Sequence, residues 1–321
     1  MKRRRLLASM VAVPLAARPA GTWAAESAQA YPSRPIRFVN PFAAGGPFDG
    51  IVRSIADKLS ESWRQPVIVE NKPGAASMLG SATVAKAPGD GYTILFGASG
   101  IVQNPSLYPK MPYEPGELAP VARLHSIPLG LAVNASIGLS SLTEFIDKAR
   151  AERGRLTYGS ISTAAQVLGE MLKQAAGIDI VRVPYRGEAP ALSDLLGGQI
   201  SASFLSPGTP ARHGGKLRLL AVSGDRRVPG VDAPTFPELG FSTLNVAGWG
   251  GVFVPSTTPA AIVEKLSDEL TRIGMLPDVV QRTVTAGFPV TVADHRAFSQ
   301  FVRTETEFWA RVIKEFQVTA E

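Results

Sequence analysis

IRFVNPFAAGGPFDGIVRSIADKLSESWRQPVIVENKPGAASMLGSATVAKAPGDGYTILF, residues 36–96, decides the fold. Ile36-Arg37-Phe38-Val39, Val67-Ile68-Val69 and Thr93-Ile94-Leu95-Phe96 are short runs rich in β-branched and aromatic residues, each closed by turn formers. They read as buried strands. Between the first two, Ile51, Val52, Ile55, Ala56 and Leu59 fall on one helical face; between the second and third, Leu79, Thr83 and Val84 suggest another helix. Strands alternating with helices predict a βαβαβ unit and hence a parallel sheet covered on its faces.

The alternation continues C-terminally. After a proline-punctuated stretch, Leu129-Gly130-Leu131-Ala132-Val133 reads as a strand, and Ser141-Leu142-Thr143-Glu144 as a capping box opening a helix. Strands are expected at 156–158, 180–183, 200–204 and 217–222, with helices near 164–176 and 188–196. Gly251-Val252-Phe253-Val254 reads as a further strand before Thr258-Pro259, an N-cap followed by proline at the first helical position. Ile262, Leu266, Leu270 and Ile273 form one apolar stripe; Phe298, Phe301, Val302, Trp309, Val312, Ile313 and Phe316 form another at helical spacing. Both stripes read as core.

The N-terminal end is of another kind. Lys2, Arg3, Arg4 and Arg5 precede an apolar run from Leu6 to Ala17, the n-region and h-region of a signal peptide. The run falls short of the roughly 20 apolar residues that span a membrane. Ala28-Gln29-Ala30 supplies small residues for cleavage, placing the mature start at Tyr31, with Ala24 as a competing exit. Arg3-Arg4 leaves open whether export is general or twin-arginine; the expected location is the periplasm either way. The leader carries five of the 33 basic residues (Lys2, Arg3, Arg4, Arg5, Arg18) and one of the 27 acids (Glu26), leaving 28 basic against 26 acidic. That balance is no footprint for nucleic acid. Cysteine is absent, which removes disulfides, thiolate metal sites and a cysteine nucleophile. Roughly 290 mature residues exceed one comfortable core, so two lobes are expected.

Catalytic motifs are missing where they would be sought. His125, His213 and His295 have no metal-ligand spacing, Gly97-Ala98-Ser99-Gly100 is followed by Ile101 rather than glycine, and Gly45 to Gly50 fits neither a dinucleotide loop nor a P-loop. No cofactor or metal is expected. Asp49 or Glu70 as a general base on a two-lobed enzyme is the competing reading, and it lacks a paired nucleophile. What recurs is a small, polar or glycine-rich segment after a strand and before a helix: Gly45 to Gly50, Gly74 to Ser77, Ala98 to Gly100 and Ser160 to Thr163. Any one of these is an ordinary turn. Repeated at equivalent positions, they would bring helix N-termini together around an anion at the carboxyl ends of the strands.

Several segments are more distinctive. Tyr31-Pro32-Ser33-Arg34-Pro35-Ile36, Pro41-Phe42-Ala43-Ala44-Gly45-Gly46 with Asp49, Val69-Glu70-Asn71-Lys72-Pro73-Gly74-Ala75 and Gly89-Asp90-Gly91-Tyr92-Thr93 come first. Asn104-Pro105-Ser106-Leu107-Tyr108, Val183-Pro184-Tyr185-Arg186-Gly187, Asp194-Leu195-Leu196-Gly197-Gly198-Gln199, Gly215-Lys216-Leu217-Arg218 and Trp249-x-Gly251 follow in order. Together they resemble the Bug family, the extracytoplasmic receptors of tripartite tricarboxylate transporters, over residues 31–321.

The resemblance implies a type II periplasmic-binding-protein fold: two α/β lobes, two crossing segments, and a ligand cleft between the lobes. With the crossings at the strands expected at 129–133 and 251–254, residues 1–30 are the signal peptide, 31–128 the first part of lobe 1, 129–250 lobe 2, and 251–321 the second crossing with the rest of lobe 1. It implies a monomeric, non-catalytic receptor that closes on a small carboxylate and serves transporter membrane subunits or a membrane sensor. The ligand-binding residues carried over are Pro47, Phe48, Asp49, Ala76, Ser77, Ser99, Gly100, Ser160, Ser162 and Thr163, with Leu205 after the strand expected at 200–204. Departures bear on the ligand. Phe48 replaces a small hydroxyl residue and either packs on an apolar ligand body or turns into the core. Met78 stands at a usually small or polar position and is expected to make the pocket more apolar. The loop after Ser160 is about two residues short. Leu205 stands where amino-acid-binding members carry an acid, which disfavours an amino group.

Overall fold

The computed structural model describes residues 30–320. The leader expected over residues 1–30 lies outside these apart from Ala30. Twenty elements follow in chain order: β1 Ile36–Asn40, α1 Pro47–Trp63, β2 Val67–Asn71, α2 Met78–Ala85, β3 Thr93–Ala98, α3 Gly100–Leu107, β4 Leu118–Ile127 and β5 Gly130–Asn134, then α4 Leu142–Ala151, β6 Thr157–Ser160, α5 Thr163–Ala176, β7 Val181–Pro184, α6 Glu188–Leu196, β8 Ala202–Leu205, β9 Leu217–Val222, β10 Gly248–Pro255, α7 Ala260–Gly274, α8 Pro277–Thr285, β11 Val290–Ala293 and α9 His295–Glu315.

The strands form two sheets. One has the order β11-β4-β10-β3-β1-β2, the other β7-β6-β8-β5-β9. In the first, β1 pairs in parallel with β2 and β3, as the opening stretch predicts, while β10 returns antiparallel to β3 and β4. In the second, β6 pairs in parallel with β7 and β8, while β5 runs antiparallel to β8 and β9. Each sheet is thus a parallel α/β unit completed by a strand that reverses direction. The chain passes between sheets twice. β4 and β5 are separated only by Pro128-Leu129; the return from β9 to β10 runs through residues 223–247, including short 3-10 turns at Pro237–Leu239 and Ser242–Leu244.

Burial explains the elements. Ile51, Val52, Ile55, Ala56 and Leu59 of α1 are all buried, as are Ile262, Leu266, Leu270 and Ile273 of α7. The α9 stripe buries Phe298, Trp309, Val312 and Ile313, with Phe301, Val302 and Phe316 packed against the same cluster. That cluster is continuous between the sheets, from Val39 and Leu95 through Leu129 to Leu131 and Phe204. β10 is buried along its whole length. Its backbone lies so close to its neighbours that a Cβ on Gly250 would meet His125 at 2.4 Å, and one on Gly251 would meet Phe298 at 2.6 Å. Only glycine fits there.

Three expectations are corrected. The face of α2 that turns inward is Met78, Gly80, Ser81, Ala82 and Val84, whereas Leu79 is 53% exposed. Gly80 sits against Pro41, where an added Cβ would come within 2.7 Å, so the small face of the helix packs and the leucine points out. The N-cap of α7 is Pro259 rather than Thr258, with Ala260 first in the helix. At α4 the cap is only half reciprocal: the Ser141 hydroxyl accepts from the Glu144 N–H at 3.2 Å, but Glu144 reaches the Ser140 N–H at 2.7 Å instead of that of Ser141. β4 occupies the proline-punctuated stretch. β4 bulges against β10 beside Pro120: Ala122 pairs with Val252 and Pro120 with Phe253, leaving Val121 between them as the extra residue.

Candidate ligand-binding site

The loops after β1, β2, β3 and β6 lead into the N-termini of α1, α2, α3 and α5, and they meet at a cavity of about 380 Å3 between the sheets. Phe42, Phe48, Ala76, Ser77, Ser99 and Gly100 line it from the first sheet's loops, and Ser162, Thr163 and Ala164 from the second's. Ile127, Leu129 and Gly248, at the two crossings, form its back. Among the described residues, no Asp, Glu, Lys, Arg or His lines it. An anion held here meets hydroxyls and the leading N–H groups of helices, which have no intrahelical acceptor.

Each loop is fixed by its own chemistry. Asp49, 6% exposed in the first turn of α1, accepts from the Gly45 N–H at 2.9 Å, Asn71 Nδ2 at 2.8 Å and Arg53 Nε at 3.1 Å. Burial pushes its pKa up, but the bonds from Gly45, Asn71 and Arg53 and the Arg53 charge outweigh burial and hold it at about 2. Asp49 shapes the first loop and does not line the cavity. Pro47 is the first residue of α1.

In the second loop Ala75, Ala76 and Ser77 are consecutive non-glycine residues with φ of 46°, 51° and 69°. Such left-handed residues cost on the order of 1–2 kcal/mol each. The strained turn is pinned by Asn104 of α3, whose amide donates to the Ala76 carbonyl at 3.0 Å. Ser99 caps α3 at the cavity wall.

In the loop after β6, α5 starts at Thr163, with the Ser162 hydroxyl accepting from the Ala165 N–H at 3.3 Å. Ser160 is wholly buried and spends its hydroxyl on the Ser162 carbonyl at 3.4 Å, so it braces the loop from behind the cavity.

Phe48 satisfies both of its open readings. Its ring packs on Phe42, Phe96 and Phe288 at centroid distances of 4.5, 5.6 and 5.2 Å, and it also lines the cavity. Met78 and Leu205 do not reach the cavity. Met78 is buried in the core. Leu205 is fully buried with Ala132, Ala191 and Leu195, because as the last residue of β8 it faces the α6 side of its sheet. An acid does stand near that strand end. Glu188, from the first turn of α6, accepts from the Ser206 N–H at 3.0 Å and from the hydroxyls of Ser206 and Thr209. It lines a second cavity of about 900 Å3 with Gly45, Gly46, Ser206, Arg212 and Arg282. No sequence spacing relates these residues; tertiary packing brings them together.

Glu70, the other acid considered as a base, is held at the outer part of the first sheet by Arg37 and Lys72. The Arg37 bond, against burial, with Lys72 adding to it, lowers its pKa. It lines neither cavity.

Two α/β lobes joined by two crossings around a charge-free, helix-lined cavity define a solute-binding protein of the periplasmic type. The chain belongs to the tripartite tricarboxylate transporter receptor family, whose model matches residues 51–318, and so to the Bug proteins. BugT of Bordetella pertussis is 33% identical over 304 residues, covering 92% of this chain and 93% of BugT. An R. palustris protein solved with adipate superposes with a TM-score of 0.76 at 30% identity, over 90% of this chain and 99% of that one. MatC of Rhodopseudomonas palustris, with bound malate, gives 0.70 at 29% identity over 88% and 100%.

Proposed function

We propose that the chain is exported, loses its leader before Tyr31, captures a small carboxylate lacking an amino group between its lobes, and delivers it to transporter membrane subunits. The observation that carries this reading is the 380 Å3 cavity lined by the leading ends of α2, α3 and α5 and, among the described residues, by no charged side chain. It offers an anion N–H and hydroxyl donors, and an ammonium group no acid. The case against an amino group therefore rests on the cavity rather than on Leu205. That adipate and malate occupy two similar structures supports the carboxylate. Tyr31 supports the leader boundary: it is 1% exposed and its hydroxyl donates to the Gly91 carbonyl at 2.7 Å, so a cut before it leaves a residue anchored in the core.

We place lobe 1 at 31–128 and 251–321 and lobe 2 at 129–250, with closure by rotation about the crossings. Ligand then stabilises the closed state by its differential affinity for that state. The test is a thermal-shift screen of dicarboxylates, aromatic acids and amino acids. Acids without an amino group should raise the melting temperature; a response confined to amino acids overturns the reading.

A further inference from the structure

Gln103 is a polar side chain of the cavity that lies beyond the helix ends facing a carboxylate. It lies on α3 one turn beyond Ser99, its N–H bonding the Ser99 carbonyl at 3.2 Å, and it is 8% exposed. Its neighbour Asn104 is committed to Ala76. The Gln103 side chain lines the cavity and has no hydrogen-bond partner among the described residues. A primary amide offers two donors and two acceptor lone pairs, and a ligand that displaces water from it has to replace those bonds. Phe42, Phe48, Leu107 and Leu129 supply apolar wall to the same cavity, alongside the polar Ser81, Asn104 and Tyr108.

Resting on the carboxylate-receptor reading, the geometry points to a ligand that carries, besides a carboxylate at the Ser99 end of α3, a neutral hydrogen-bonding group received by Gln103. The group is a hydroxyl or carbonyl about one helical turn away, ~5.4 Å. That span suits a six-membered ring substituted at opposite ends or an alkyl chain of similar reach. A second carboxylate at this end would arrive without a counter-charge, because no cation lines the cavity. The amide meets either a donor or an acceptor, and the apolar walls cover the body between.

The test is calorimetric titration of the full chain and of Gln103→Met, which keeps side-chain length and removes both amide functions. The probes are benzoate, 4-hydroxybenzoate and terephthalate, and in parallel hexanoate, 6-hydroxyhexanoate and adipate. In at least one series the hydroxy acid should bind the unaltered chain about tenfold more tightly than its unsubstituted partner and more tightly than the diacid. Gln103→Met should bring the first ratio to about one. The unliganded variant should melt close to the unaltered chain, since the amide has no protein partner to lose. A ratio that survives in Gln103→Met, no hydroxyl preference in either series, a preferred diacid in both, or a large fall in the variant's melting temperature overturns the inference. If acids bind without the preference, this inference alone falls; if no acid binds at all, the carboxylate reading falls with it.

Discussion

Phe48 links the core and the ligand cavity within one side chain. One part of its ring is fixed by Phe42, Phe96 and Phe288, so what faces the cavity is a rigid apolar surface that loses little freedom when covered. Phe48→Thr removes that surface and should weaken an aromatic acid roughly tenfold, about 1.4 kcal/mol, while altering a small dicarboxylate less; titration of both acids against both proteins measures it. Equal losses would show that the ring acts only through the core. Residue-scale legibility was uneven for a physical reason. Ser77, Ser99, Ser162 and Thr163 were readable because turn and cap chemistry is local. Met78 and Leu205 were misread because a position near a loop or strand end does not say which way its side chain points. Gln103 and Glu188 went unread because a buried glutamine or a first-turn glutamate gains meaning only from what packs opposite.

Element-scale reading succeeded where a periodic face is buried, as in α1, α7 and α9. It missed β4, α8 and β11: β4 carries Pro120, Arg123 and His125 in place of alternating apolar residues, and β11 is only four residues long at the sheet margin, with Thr291 among them. The long last helix is tied to the central strand by more than apolar contact. Glu305 of α9 accepts from Trp249 Nε1 of β10 at 3.1 Å and from Trp309 Nε1 at 3.0 Å. Burial pushes its pKa up, while the two indoles and Arg123 pull it back. Glu305→Leu leaves both indole N–H groups without that acceptor and should cost roughly 2–4 kcal/mol; Glu305→Gln, which keeps an acceptor oxygen, should cost less than half as much. Urea unfolding followed by tryptophan fluorescence reads both.

For the molecule as a whole, acid should act first through His125. It is wholly buried among Phe48, Phe96 and Phe288, neither ring nitrogen has a partner, and burial together with the Arg123 charge lowers its pKa to about 3. The unfolded chain takes up this proton near pH 6.5 and the folded chain does not. The contribution is therefore present in full above 6.5 and lost as pH falls towards 3, with a slope of at most about 1.4 kcal/mol per pH unit. Asp49, held at about 2 against 3.8 unfolded, adds a later loss below about pH 4. Glu305 works in the opposite sense, so the measurable quantity is a difference. Between pH 6.5 and 4.5 the urea midpoint of His125→Leu should fall less steeply than that of the unaltered chain, and parallel curves would refute the assignment.

The unequal crossings, two residues at Pro128-Leu129 and twenty-five over 223–247, make the molecule a lever with its fulcrum beside the cargo. The 380 Å3 cavity rests against that fulcrum at Ile127, Leu129 and Gly248, whereas the 900 Å3 cavity, with Arg212 and Arg282 contributed from different lobes, lies elsewhere in the interlobe space. In the closure proposed above, displacement grows with radius, so the inner chamber would keep its shape while the outer rim travels. In the receptor role proposed above, the two tasks would thereby be separated: the fulcrum end would select the acid, and the rim would present the closed form to the membrane subunits.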